Sequence, residues 1–215
     1  MATLSGSTTL PIILLIRHAE TDFVKQQRLA GRLPGAQLNA KGRAQATALA
    51  EALRPLPLKA IYSSPLERTM QTAQALAAVH GLRVHKRPGL IETDLGSWEG
   101  QSLKRLRRGK DWKTLQENPS RFRFPGGEWV IENQARLVAE IEAICRLHKP
   151  KELIACVGHA DPIKLIIAHY LGLPLDFFQR VTIDTVSVSA LMLDQGKPKL
   201  INLNWKTTGF RDQLV

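Results

Sequence analysis

An arginine and a histidine stand side by side in RHAET, Arg17 to Thr21, directly after the apolar run Ile12 to Ile16. An imidazole beside an obligate cation suits chemistry on phosphate: a neutral nitrogen of His18 can attack phosphorus while the Arg17 guanidinium neutralises the non-bridging oxygens. VGHADPIK, Val157 to Lys164, repeats the arrangement, with His159 where an apolar stretch gives way to helical spacing. If the two junctions converge, His159 donates a charge-assisted hydrogen bond to the same phosphate, and the helix start behind it adds positive potential. Asp161 there suits a helix cap and Pro162 a first turn. SSPLERTMQTA contributes Ser63, Ser64 and, in a first helical turn, Arg68. Each segment alone also reads as a satisfied histidine or a solvated arginine, but three such junctions carrying Arg-His, Ser-Arg and His-Asp point to one phosphate pocket.

The elements that must bring them together follow from periodicity. Residues 12 to 17 read as a strand covered on both faces, and Asn39 as the cap of a helix running to about Leu53, with Ala46, Leu49 and Leu53 inward and Pro55 and Pro57 beyond its end. KAIYSS predicts a second strand, followed by a helix with Leu66, Met70, Ala73 and Ala77 on one face, and then a short strand at Leu82 to Val84. Residues 102 to 117 read as short helices, in an insertion taken to extend to 127. A long helix follows with Ile131, Ala135, Val138, Ile141 and Cys145 on one face, stopped by Pro150. ELIACVG, VSVSALML and KLINLN read as strands, with a helix over DPIKLIIAHYLG. Strands alternating with helices predict a layered α/β/α domain with parallel pairing across the crossovers. One domain over 1–215 is expected, because glycine and proline are scattered and no repeat is present.

The formal charge of +11 permits attraction to polyanions, yet no finger spacing or aromatic-basic repeat accompanies it, so neither nucleic acid nor membrane is the expected partner. Cys145 and Cys156 form no CxxC pair and read as small buried side chains. LPIILLI runs straight into RHAET without a basic leader and reads as a strand instead of a signal peptide, which makes the cytoplasm the expected location. HExxH and Walker A patterns are missing, so no metal and no cofactor are expected.

RHAET, GRLPGAQLNAKGRAQA, SSPLERTMQTA, ETDLGSWEG, FPGGE and VGHADPIK occur in the order characteristic of the histidine phosphatase superfamily, also called phosphoglycerate-mutase-like, and the chain resembles that family from about Ile12 to Asn204. The resemblance extends to a branch labelled phosphoglycerate mutase. It implies a mixed, mainly parallel central sheet, His18 as nucleophile, and Arg17, Arg68 and His159 as the phosphate pocket. The proton donor needed for the departing alkoxide is open among Glu92, Asp94 and Glu99 from the residues alone; the resemblance assigns Glu92. One departure is Ala19, where the family usually has glycine; a methyl group fits provided the backbone stays at negative φ.

On this reading a small phosphorylated metabolite is the partner, homo-oligomerisation stays open, and metal-independent hydrolysis of a phosphomonoester through phosphohistidine is the first expectation. Lys25, Arg28 and Arg32 follow the nucleophile and are candidates for a distal substrate anion. Lys104 to Lys113 is a second basic segment, whose plainer reading is an exposed helix face. Trp98, Trp112 and Trp129 either line a leaving-group pocket or pack the inserted helices. Gly126 and Gly127 read as a turn and Glu128 as a first-turn charge. The alternative activity is phosphoglycerate mutation, but family mutases carry an asparagine six residues after the nucleophile, where this chain has Val24. A noncatalytic phospholigand-binding protein is the third reading, and the retained Arg17, His18, Arg68 and His159 argue against it.

Overall fold

Apolar runs too continuous for a one-sided strand need cover on both faces, and the computed structural model, which describes residues 9–194 and 197–206, provides it. The strands are β1 (Thr9–Arg17), β2 (Leu58–Ser63), β3 (Val84–Lys86), β4 (Leu153–Gly158), β5 (Val188–Asp194) and β6 (Lys199–Trp205). They form one sheet in the order β3-β2-β4-β1-β5-β6. The first four are mutually parallel, β5 runs antiparallel to β1, and β6 antiparallel to β5. The helices are α1 (Asp22–Lys25), α2 (Ala40–Leu53), α3 (Glu67–His80), α4 (Leu103–Leu106), α5 (Lys110–Glu117), α6 (Val130–Cys145) and α7 (Ala160–Tyr170). This is the three-layer α/β/α architecture with a mixed, mostly parallel sheet.

Alternation along β1 divides the core. Ile13 and Leu15 pack with Leu137, Ile141, Ile163 and Ile167 of α6 and α7. Leu14 and Ile16 pack with Leu49, Leu53, Ala73 and Leu76 of α2 and α3. At the C-terminal rim, register pairs Arg17 with Gly158 and Ser63 with Val157, so Arg17-His18, Ser63-Ser64 and Gly158-His159 leave the sheet side by side.

α2 starts as its sequence predicts, with Asn39 Oδ1 accepting the Gly42 N–H at 2.8 Å. Gly42 also permits close approach to the loop after β1, since a Cβ there would stand 2.0 Å from the Glu20 carbonyl oxygen. α3 presents Arg68, Thr69, Thr72, Ala73, Leu76 and Ala77 inward, leaving Met70 half-buried. Segment 102–127 holds α4, α5 and a 3₁₀ turn at Pro119–Arg121, and packs on the α6/α7 side through Leu106, Leu115, Phe122 and Phe124.

Four expectations about local structure are corrected. α6 keeps its helical period, but Ile131 is 53% exposed and Ala135 is exposed; Val130, Asn133, Leu137, Val138, Ile141, Ile144 and Cys145 point inward. A buried polar tether sets that phase, because the Asn133 side chain donates to Thr93 Oγ1 at 2.5 Å. α6 ends at Cys145, ahead of Pro150, and the following turn lets the His148 ring meet the Tyr62 hydroxyl at 2.8 Å. His159, not Asp161, is the capping position of α7; Asp161 lies in its first turn and pairs with Lys164 at 3.0 Å. Glu128 precedes α6, where its carboxylate accepts the Asp94 N–H at 2.9 Å and binds the Arg136 guanidinium at 3.0 Å. Cys145 and Cys156 are buried free thiols. No helix among the described residues is long and apolar enough to cross a membrane.

Candidate active site

His18 extends from β1 with its ring almost fully buried, and Nδ1 lies 2.7 Å from the Ala19 carbonyl oxygen. A carbonyl can only accept, so the ring proton sits on Nδ1 and Nε2 keeps its lone pair. Burial, then the charges of Arg68 and Arg17, hold the imidazole well below its ordinary pKa and therefore neutral. Ala19 is buried at negative φ, and its N–H donates to Thr72 Oγ1 at 3.1 Å, so its methyl is accommodated without left-handed strain.

The cations converge on the same place. Arg17 donates through Nη1 to the Ile183 carbonyl at 2.7 Å, and Arg68, 1% exposed, donates through Nη2 to the Gly31 carbonyl at 2.7 Å. Nε of each is buried without a hydrogen-bond partner among the described residues. Burial lowers both pKa values from the ordinary arginine value, opposed by Glu92. His159 is fully buried, its ring centroid 5.4 Å from that of His18. Its Nε2 lies 2.9 Å from Ser64 Oγ and its Nδ1 3.5 Å from Glu92 Oε2. When the Ser64 hydroxyl donates to Nε2, the His159 proton sits on Nδ1, an atom with no hydrogen-bond partner among the described residues. Burial, reinforced by Arg68, His18 and Arg17, also holds this ring well below the usual histidine pKa.

Glu92 closes the arrangement. Oε1 accepts the Thr93 N–H at 3.0 Å, and Oε2 stands 3.9 Å from Arg68 Nη2. Burial pushes the carboxyl up to about 7 despite the attraction of Arg68, with the Asp161 charge helping. This leaves one carboxyl able to give and to take a proton near neutrality. The side chains of Arg17, His18, Arg68 and Glu92 line a cavity of about 430 Å³, with His159 buried behind them.

The family model of the histidine phosphatase superfamily (branch 1) matches residues 13–206. The chain belongs to that superfamily. It is accordingly a phosphatase-type enzyme with phosphomonoester hydrolase chemistry. As a histidine phosphatase it is 30% identical over 194 residues to phosphoserine phosphatase 1 of Hydrogenobacter thermophilus, covering 89% of this chain and 91% of that one. It is also 30% identical over 181 residues to the probable phosphoglycerate mutase GpmB of Enterobacter sp., covering 83% of each. Among solved structures, Bacillus stearothermophilus YhfR superposes with a TM-score of 0.83 at 25% identity, covering 90% of this chain and 96% of that one.

The three candidates for a distal substrate anion separate within this histidine phosphatase. Arg28 lines the cavity, its Nε donating to the Gly100 carbonyl at 2.9 Å. Lys25 faces a separate groove of about 870 Å³ beside α2, with Glu20, Asp22 and Asn39. Arg32 is engaged elsewhere: Nε donates to the Glu92 carbonyl at 2.8 Å, and the guanidinium pairs with Glu128 at 3.0 Å and Asp94 at 3.6 Å. Trp98 and Trp112 line the cavity and pack on each other; Trp129 is instead 37% exposed and carries the Arg123 guanidinium. Lining residues that sequence reasoning did not single out include Lys164, Gln179, Thr182 and Ile183. Lys164, three residues after Asp161, carried a helical-pair signal; Thr182 and Ile183 carried none.

Proposed function

We propose that this protein, as one domain with residues 102–127 inserted over the site, hydrolyses a small phosphomonoester without a metal ion through a phosphorylated His18. The observation that carries the reading is an unprotonated His18 Nε2 in a cavity shared with Arg17, Arg68 and a Glu92 carboxyl raised to about 7. Nε2 attacks phosphorus, the P–O ester bond breaks, and Glu92 gives its proton to the departing alkoxide. Water then attacks the phosphohistidine, Glu92 takes a water proton, and the P–N bond breaks to release phosphate and neutral His18. Arg17, Arg68 and the Nδ1–H of His159 hold the phosphoryl oxygens through both steps; these fixed donors supply the charge stabilisation that a divalent ion supplies elsewhere. Phosphoserine phosphatase activity in a 30% identical relative supports a small-metabolite substrate. Buried free thiols at Cys145 and Cys156 suit a cytoplasmic setting.

Likeness to a probable phosphoglycerate mutase favours a second reading, mutation of 2- and 3-phosphoglycerate. Val24 on the cavity wall offers no side-chain hydrogen bond to a reorienting bisphosphorylated intermediate, which places hydrolysis first. The test is a rapid alkaline quench with ³²P-labelled ester after chelation, in the wild type and His18→Ala. Label on His18, lost with the substitution, is expected; full activity of His18→Ala overturns the covalent route. Following phosphate release beside 2-phosphoglycerate formation from 3-phosphoglycerate, with and without a bisphosphoglycerate primer, separates the two reactions.

A further inference from the structure

The phosphate-holding groups account for only part of the cavity lining. The remaining wall comes mainly from the loop after β1 and from the inserted helices, which are stitched together: the Leu103 N–H donates to the Gln27 carbonyl at 2.8 Å and the Leu29 N–H to the Gln101 carbonyl at 2.9 Å. Trp98, 5% exposed, forms the base of this wall, and the Trp112 ring lies against it with centroids 6.0 Å apart and planes 21° apart. Phe124 meets Trp98 edge-on at 5.4 Å, which fixes the orientation of the pair.

Two arginines stand on the aromatic rings of this wall. The Arg107 guanidinium lies over Trp112 at 5.8 Å from the ring centroid, and the Arg28 guanidinium over Phe23 at 5.4 Å. Neither is paired with a carboxylate of the described residues, whereas Arg68 has Glu92 at 3.9 Å and Lys164 has Asp161 at 3.0 Å. Arg28 donates Nε to the Gly100 carbonyl at 2.9 Å, which leaves its Nη groups, with those of the exposed Arg107, available for an anion. The volume of about 430 Å³ also falls within the roughly 300–1,000 Å³ of pockets that enclose a sizeable organic ligand.

We propose that this wall is a leaving-group subsite for a flat, apolar or aromatic alcohol bearing a second anionic group, its body against Trp112 and its anion on Arg28 and Arg107. The proposal rests on the phosphomonoester reading of His18 and adds to it the class of ester. It also gives the inserted helices a role in selecting substrate.

The test uses two non-hydrolysable probes, benzylphosphonate and 4-carboxybenzylphosphonate, titrated calorimetrically into the full-length protein, and the two corresponding phosphate esters followed by phosphate release. The esters are benzyl phosphate and 4-carboxybenzyl phosphate, whose alcohols have nearly the same acidity, so the comparison isolates recognition. The carboxylated phosphonate is expected to bind about tenfold more tightly, as suits a hydrogen bond to a charged group, and its ester to show a matching preference in kcat/KM. In an Arg28→Ala/Arg107→Ala protein the preference should fall to within twofold. Trp112→Leu should weaken both benzyl probes relative to methylphosphonate. Equal affinity of the two benzyl probes for the wild type overturns the subsite, and needs no variant to fold. A preference that survives both arginine replacements at unchanged Tm overturns it equally. Selective phosphonate binding with neither ester hydrolysed would sink the phosphatase reading and leave the subsite standing.

Discussion

Glu92 keeps its proton to about pH 7 because burial outweighs the attraction of Arg68, and this sets the pH dependence of the first step. Ionised Glu92 cannot protonate an alkoxide, so turnover of an alkyl ester should fall roughly tenfold per unit as pH rises above about 7. Protonated His18 cannot attack, but burial and two arginines hold it neutral well below its ordinary range, so the acid limb should lie below pH 6.5. Profiles of kcat against pH for one alkyl and one aryl ester would measure both limbs. Glu92→Gln should slow the alkyl ester by about 10²-fold or more and the aryl ester much less, since a good leaving group needs little protonation. Equal losses would count against the general acid. Ser64 acts through another ring: a hydroxyl that donates to His159 Nε2 puts that ring's proton on Nδ1, the atom facing Glu92, and Ser64 does this without itself lining the cavity.

Residues 31 and 32 connect elements distant in sequence and hold the site in register. The Gly31 carbonyl anchors Arg68 of α3, Arg32 Nε anchors the Glu92 backbone, and Glu99 Oε1 accepts the Arg32 N–H at 2.7 Å. Gly31 has φ +52, and a Cβ there would stand 2.4 Å from Glu99 Oε1. Gly31→Ala should therefore lower Tm by several degrees and weaken competitive inhibition by inorganic phosphate severalfold. Adding Glu99→Ala should recover only part of the Tm, because the steric contact goes but the left-handed strain of about 1 kcal/mol stays and the Arg32 N–H loses its acceptor. Thermal melts and phosphate Ki values of Gly31→Ala, Glu99→Ala and the double variant would check this, the single Glu99→Ala giving the cost of its lost hydrogen bond; full recovery would show that the φ constraint is unimportant. The same junctions show what was legible in the sequence. Arg17, His18, Arg68 and His159 could be found because each follows a buried strand, and strand direction alone brings them to one rim. Arg32 carried the same loop signal as Arg28, yet its guanidinium is taken by Glu128 and Asp94, and pairing across such distances has no local trace. Arg107 was visible only as part of a basic segment, and Trp112 only as an aromatic that either lines a leaving-group pocket or packs the insertion, since their place depends on how the insertion docks. The phase of α6 was missed for a related reason: Asn133 points inward for a partner forty residues away, against its own hydropathy.

The sheet divides the protein into two cores that share β1, so damage there should spread to both. Leu14 is completely buried against α2 and α3, and Leu14→Ala should cost about 2–5 kcal/mol in denaturant unfolding. A loss under 1 kcal/mol would mean that the α2/α3 layer collapses into the gap. The net charge of +11 acts over longer distances. For a dianionic ester, kcat/KM should decline as salt is raised while kcat holds steady, because screening affects encounter more than the buried chemical step; stopped assays over a salt series would show it. The reversed direction of β5 has a consequence for inheritance. In an all-parallel sheet the rim receives only chain leaving the strands, but here the segment entering β5 reaches it too. That segment grips Arg17 by backbone and side chain at once: the Arg17 N–H donates to the Ser187 carbonyl, the Val186 N–H to the Arg17 carbonyl, and Arg17 itself to the Ile183 carbonyl. Arg68 and His159 make none of these contacts. Descendants that lengthen or shorten the chain between Arg180 and Ile183 can therefore remodel one wall of the pocket while the rest of the phosphate grip passes on unchanged, so new ester preferences can arise without rebuilding the nucleophile's surroundings.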